Sequence, residues 1–177
     1  MTNTTEVTAL YRSLLTNATM AEITAAATWY AEAQGIAREM ALTSGYTLEQ
    51  CASVIASFSP RCPWDRNVFL ATEFINGNKV ATLTNNIKMA TNSISKGFDA
   101  LNGCKTNSFA RNIAGDLNAV TIDVWMVRAA GMNPKKTPNK TEYTMLSNAV
   151  IELATEFGIA PAQMQALLWV RVRGSAV

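Results

Sequence analysis

Helical periodicity runs through almost the whole of this 177-residue chain, and it constrains the fold more than any other feature. Nearly every segment repeats its apolar residues at three- and four-residue spacing rather than in the two-residue alternation of a strand. Short connections separate these segments, as in packed helical domains. The pattern predicts an all-α fold, a single compact domain of about ten helices over residues 1–177.

Capping residues and glycine stops mark the helix bounds. Thr19-x-x-Glu22 is a capping-box pattern, Thr47 is a predicted N-cap, and the pair Asn85-Asn86 is predicted to cap a further helix. The predicted helices are residues 5–15, 19–42, 48–58, 64–76, 87–95, 105–114, 123–130, 141–157 and 161–172, with a short turn at 98–102.

The amino-acid composition and the net charge limit the classes of protein to which this chain can belong. An apolar content of 49% with 16% charged residues is typical of a globular protein. The net charge of +2 is not the strong basic excess of many nucleic-acid-binding proteins. A DNA-binding function would therefore require the basic residues to gather on one face. Arg171 and Arg173, near the C-terminus, are expected to be solvated.

The sequence predicts no metal and no cofactor. The cysteines Cys51, Cys62 and Cys104 lack metal-ligand spacing, and the chain contains no histidine. There is no leader-peptide pattern and no apolar run of membrane-spanning length. We therefore expect a cytoplasmic protein with reduced thiols and no membrane partner.

The segment 101–131 carries the most specific pattern. Gly103 marks a turn, Lys105-Thr106 stands at a helix start, and Asp123 follows the apolar run Val120-Thr121-Ile122. This layout resembles the helix-hairpin-helix DNA glycosylases of the endonuclease III type. In that family a hairpin ends in Gly-x-Lys-Thr, a helix follows, and a Val-Asp segment comes next.

Lys105 and Asp123 fall in register with the lysine and the aspartate of that family. Residues 52–70 and 85–94 resemble the elements that precede the family's hairpin, so the resemblance covers roughly residues 52–131. The hairpin here is shorter and lacks the family's second glycine, and Trp125 stands where the family has histidine. The chain is also similar to tailed-phage proteins.

The resemblance implies a helix-hairpin-helix glycosylase-like fold and a DNA glycosylase, with possible lyase activity, that acts on double-stranded DNA. It assigns nucleophilic attack on the sugar to Lys105 and electrostatic assistance to Asp123. A phage-encoded protein of this kind would act in the cytoplasm of the bacterial host cell. The final residues, Gly174 to Val177, contain no four-cysteine loop, so no iron–sulfur cluster is expected.

Seven further residues are candidate DNA contacts, and several of them have a structural alternative. The loop that contains Arg61 and Trp64 could be a packing corner. Gly103 could instead be a helix C-cap glycine, Trp125 a core residue and Arg128 an ion-pair partner of an aspartate. Asp123 itself could be an ordinary N-cap, and Lys105 a solvated charge. The candidates are Gly103, Thr106, Arg61, Trp64, Arg111, Trp125 and Arg128.

Two other functions remain open. Phage relatives of the superfamily point to thymine hypermodification, in which a flipped base is altered and the sugar is spared. The altered hairpin and the low net charge also fit a catalytically inactive DNA- or protein-binding module.

Overall fold

The computed structural model describes residues 3–173 and confirms the all-α class. Nine α-helices and one short 3-10 helix lie within this range, and no strand occurs among these residues. The elements are α1 (Thr4–Leu15), α2 (Met20–Ser44), α3 (Leu48–Phe58), α4 (Trp64–Ile75), α5 (Thr84–Lys96), the 3-10 helix (Gly97–Ala100), α6 (Cys104–Ala114), α7 (Val124–Ala129), α8 (Lys140–Phe157) and α9 (Pro161–Arg173).

Local capping explains where most of these helices begin. Thr47 caps α3 as predicted, and its partner in the capping box is Gln50. The predicted Asn85-Asn86 cap is wrong, because α5 begins earlier, at Thr84, and its N-cap Leu83 makes no side-chain cap bond. Asn86 is instead buried, and its amide donates to the carbonyl oxygen of Pro60 at 3.4 Å.

The chain forms two compact units. The middle unit comprises Ala31–Asp116, and the terminal unit comprises the described residues before and after it. The boundary on the N-terminal side falls within α2.

Helix α3 is the centre of the middle unit. Every residue from Cys51 to Phe58 is buried, because α4, α5 and α6 all pack against this helix. A helix that is apolar on all sides is stable only in such a surrounded position. Two of its buried residues are polar: the hydroxyls of Ser57 and Ser93 lie 3.2 Å apart between α3 and α5, whereas the Ser53 hydroxyl has no hydrogen-bond partner within the described chain.

In the terminal unit, α8 packs against α1 and α9, and α7 packs against α9. The core includes the fully buried side chains of Tyr11, Met126, Leu146, Leu153, Met164 and Leu168. The Tyr11 hydroxyl donates to the carbonyl oxygen of Met126 at 3.0 Å. A phenol can occupy an apolar core only with such a partner, and this bond ties α1 to α7.

Arg171 of α9 closes the C-terminal end of α1. Its guanidinium donates to the carbonyl oxygens of Leu14 and Thr16, at 2.8 and 3.1 Å, and to both carboxylate oxygens of Glu22, at 2.8 and 3.0 Å. The carbonyls at a helix end have no partner within the helix, so a cation there satisfies them. The expectation that Arg171 is solvated is therefore wrong.

Glu22→Gln should reduce the change in free energy of unfolding that acidification causes. Hydrogen bonds from Thr19 and from Arg171 lower the pKa of Glu22 below its ordinary value. A carboxylate with a lowered pKa stabilises the fold above its ordinary pKa, and that stabilisation is lost as the pH falls through the lowered value. The difference in free energy of unfolding between wild type and Glu22→Gln should be largest near neutral pH and shrink on acidification, as urea denaturation can measure.

The control is Glu32→Gln, which changes an exposed glutamate of the same helix. It should leave the pH profile of stability unchanged. An effect of Glu22→Gln that is equal at all pH values would show that the charge of Glu22 contributes nothing to the contact.

Candidate active site

Asp123 is the N-cap of α7. Its backbone is extended, with φ −105° and ψ −175°, and its Oδ1 accepts hydrogen bonds from the backbone N–H groups of Trp125 and Met126 at 2.9 and 3.0 Å. Aspartate is among the preferred residues at this position. The N-cap interpretation is therefore confirmed, and it uses one carboxylate oxygen only.

The second oxygen of Asp123 has a partner of another kind. The indole Nε1 of Trp169, on α9, donates to Oδ2 at 2.8 Å. A carboxylate offers about four acceptor positions, and the bonds of Asp123 within the described chain fill three of them. The half-buried side chain thus retains one acceptor position, on Oδ2.

Tyr143 holds the non-helical segment that leads to Asp123. Its hydroxyl donates to the carbonyl oxygen of Val120 at 2.8 Å and accepts from the backbone N–H of Ile122 at 3.0 Å. Val120, Thr121 and Ile122 are all buried, so their backbone polar groups need such partners. The phenol of α8 therefore fixes the backbone immediately before the carboxylate.

Two more tyrosines lie within electrostatic range of Asp123. Burial raises the pKa of Tyr11 well above its ordinary value, and the charge of Asp123 adds to this. Burial also raises the pKa of Tyr30, against a lowering by its hydrogen bond with Thr121, and Asp123 again adds to the rise. Both phenols therefore stay protonated and act as donors, Tyr30 to Oε1 of Gln165 at 2.7 Å.

Trp125 and Arg128 form a stacked pair on α7. The guanidinium of Arg128 lies over the indole ring of Trp125, 4.4 Å from its centroid. Positions three apart lie on the same side of a helix, which brings the two groups together. Trp125 is half-buried and Arg128 is exposed, so the pair presents a cation on an aromatic platform beside the site.

In the middle unit, Gly103 is the N-cap of α6, not a C-cap, and its φ of −84° is ordinary for any residue. It is exposed, and no side chain caps α6. Lys105 is half-buried in the first turn of α6. Thr106 is buried, and its hydroxyl donates to the carbonyl oxygen of Gly103 at 3.1 Å.

The turn before α6 is held by Asn107, a residue that the sequence analysis missed. Its amide nitrogen donates to the carbonyl oxygens of Phe98 and Leu101 at 3.1 and 3.3 Å, and its Oδ1 accepts from Nε of Arg111 at 2.8 Å. The guanidinium of Arg111 also lies 4.8 Å from the centroid of the Phe98 ring. Arg111 is thus exposed but held in place.

Arg61 and Trp64 belong to the connection between α3 and α4. Arg61 is exposed and has a φ of +58°, an uncommon backbone conformation for a residue other than glycine. Trp64 is the first residue of α4, is half-buried, and meets the edge of Phe109 on α6 at a centroid distance of 6.4 Å. This contact places the start of α4 beside α6.

The candidate residues divide between the two units. The terminal unit contains Asp123, Trp125 and Arg128, and the middle unit contains Gly103, Lys105, Thr106, Arg111, Arg61 and Trp64. Within residues 3–173, no group of three or more cysteine, aspartate or glutamate side chains could hold a metal ion. No helix in that range is long and apolar enough to cross a membrane.

These elements define an all-α protein with a fixed carboxylate at a helix N-terminus. The chain belongs to a family of unknown function, DUF7178, whose model matches residues 1–176. No curated protein matches the chain. No solved structure matches it either.

Tyr143→Phe should destabilise the protein by about 1–3 kcal/mol, because it leaves the carbonyl of Val120 and the N–H of Ile122 without their partner. The ring remains, so packing is unchanged. Urea denaturation should show the loss. The control is Tyr46→Phe, since the Tyr46 hydroxyl makes no hydrogen bond within the described chain. Equal stability of the two variants would contradict the role of Tyr143.

Proposed function

We propose that this protein is a DNA base-processing enzyme that flips a nucleotide and cleaves its N-glycosidic bond. The observation that carries the proposal is the carboxylate of Asp123, which three hydrogen bonds hold in place with one acceptor position remaining. It supports the role that the glycosylase resemblance assigns to this aspartate.

The chemistry of base release suits a fixed carboxylate. As the C1′–N bond breaks, its electron pair leaves with the base and positive charge develops on the deoxyribose. A carboxylate that is already oriented stabilises this charge without reorganising during the reaction. Water then attacks C1′, and the remaining acceptor position on Oδ2 of Asp123 can take its proton.

The middle unit offers features that suit DNA. The exposed Gly103 and the N-terminus of α6 favour a phosphate group, because the helix dipole and the N–H groups of the first turn both attract anions. Arg61 and Arg111 are exposed cations of the same unit. In the terminal unit, the Arg128–Trp125 stack joins a phosphate-binding cation to a ring on which a base can stack.

The proposed reaction requires base flipping, which brings the target nucleotide out of the duplex. An enzyme that acts at C1′ must extrude the nucleotide from the duplex and stabilise the gap that it leaves. Arg61 and Trp64 are the candidates for this second task, since an exposed cation of the connection between α3 and α4 lies three residues before the aromatic residue that begins α4.

Asp123→Asn should lower base release by at least about 100-fold, the scale of removing one preorganised electrostatic partner. Asparagine keeps an oxygen for the two backbone N–H groups of α7, but its amide nitrogen would face the indole N–H of Trp169, donor against donor. The variant should therefore also be made with Trp169→Phe, which removes that conflict. Release is measured as alkali-sensitive strand breaks in duplexes that each carry one deaminated, oxidised, alkylated or hypermodified base.

The control for this series is Asp65→Asn, which removes an exposed carboxylate from the first turn of α4. It should release the base as the wild type does. If Asp123→Asn and its double variant with Trp169→Phe both retain wild-type release, Asp123 is not catalytic.

Lys105 distinguishes a lyase from a hydrolase. An amine that attacks C1′ displaces the base and opens the sugar ring to an imine, which borohydride reduces to a permanent crosslink between protein and DNA. If Lys105 attacks in place of water, the wild type forms this crosslink and Lys105→Ala does not. The control is Lys88→Ala, which removes an exposed lysine of α5 that is not among the candidate residues and should behave as the wild type does.

The other outcomes are equally informative. Base release by Lys105→Ala, without a crosslink in either protein, would identify a hydrolase that uses water alone. Chemical alteration of the base with the glycosidic bond intact would replace the proposal with base hypermodification. A protein that shows no salt-dependent duplex binding at low ionic strength would favour the catalytically inactive binding module, because each phosphate contact releases counterions.

A further inference from the structure

Trp169 is the one donor to Asp123 that capping of α7 does not require. The backbone N–H groups of Trp125 and Met126 both bind Oδ1, and these bonds complete the cap. The indole of Trp169 binds Oδ2 at 2.8 Å from α9, a helix 46 residues further along the chain. Without this bond the cap would persist, but Oδ2 would have no partner within the described chain.

Trp169 makes two further contacts. Its ring lies 6.5 Å from that of Trp29, centroid to centroid, at an interplanar angle of 49°, and the guanidinium of Arg173 lies over it at 4.7 Å. All of these residues belong to the terminal unit. Contacts of a ring with a second ring and with a cation restrict its rotamers, so they also restrict the direction of its N–H.

From this geometry we infer that Trp169 is a positioning residue, which orients Oδ2 of Asp123 and is oriented in turn by Trp29 and Arg173. One of the two acceptor positions of Oδ2 is occupied by the indole N–H. The direction of the other is thereby fixed, and this is the position proposed above to take the proton of the attacking water. The catalytic part of this inference rests on the proposed base release by Asp123.

The contact can be tested without substrate. In the proton–nitrogen spectrum of the wild type, the indole N–H resonance of Trp169 is identified by its loss in Trp169→Phe. Asp123→Asn should shift this resonance and accelerate its exchange with solvent, while the indole N–H resonance of Trp64 should not move. An unchanged Trp169 resonance in Asp123→Asn would overturn the inference, whatever the protein's activity.

The catalytic consequence is tested with two replacements. Trp169→Phe removes the N–H and part of the ring, whereas Trp169→benzothienylalanine replaces only the N–H with sulfur. Both should lower kcat for base release by about 10- to 100-fold with little change in KM, the scale expected when a reacting group is misplaced by about 1 Å. Arg173→Met should have a smaller effect in the same direction, because it removes the covering cation but keeps the hydrogen bond.

Tyr46→Phe serves as the control and should keep the wild-type kcat. A folded benzothienylalanine variant with wild-type kcat would overturn the inference and leave the proposed function intact. If wild type releases no base from any duplex but Asp123→Asn shifts the Trp169 resonance, the proposed function fails and the positioning contact stands.

Discussion

The capping of α7 by Asp123 is the interaction on which the terminal unit's polar architecture depends. One carboxylate begins the helix α7 and also accepts an indole N–H from α9. The backbone around it is held as well: Tyr143 binds the segment before it, and Tyr11 binds the carbonyl of Met126 after it. The carboxylate is thus contacted by α7 and α9, and its flanking backbone by α8 and α1.

Capping alone does not require this arrangement. A serine at the same position would also cap the helix, and it has no charge to desolvate. The indole N–H of Trp169 binds the carboxylate oxygen that the cap does not use. The proposed chemical role of Asp123 rests on this additional donor.

The fold class and most helix bounds could be predicted from the sequence, because helical periodicity and capping are local. Thr47 shows this, since its partner Gln50 is three residues away. The Asn85-Asn86 pair shows the limit: Asn86 is buried and binds the carbonyl of a distant connection, which no local pattern reveals. A residue with a local preference for the N-cap position does not cap the helix where a tertiary hydrogen bond satisfies its side chain.

In the candidate site too, local features could be predicted from the sequence and contacts between distant residues could not. The catalytic role of Asp123 was predicted from its register with the glycosylase pattern and stays a prediction, whereas its N-cap role is confirmed and follows from its position before an apolar helix. The roles of Tyr143 and Asn107 were missed because each side chain binds backbone groups of another segment. The sequence around a tyrosine or an asparagine in a helix does not indicate such a contact. The ion pair between Arg171 and Glu22 joins residues 149 apart in the chain, and the sequence did not predict it either.

Tyr143 also has a consequence for aggregation. The segment before Asp123 is rich in β-branched residues, which suit strand pairing. In an unfolded chain, such a segment can pair with a strand from another molecule. In the folded protein residues 120–122 are buried, and a single phenol pairs both the Val120 carbonyl and the Ile122 amide, so these groups are not available to another molecule.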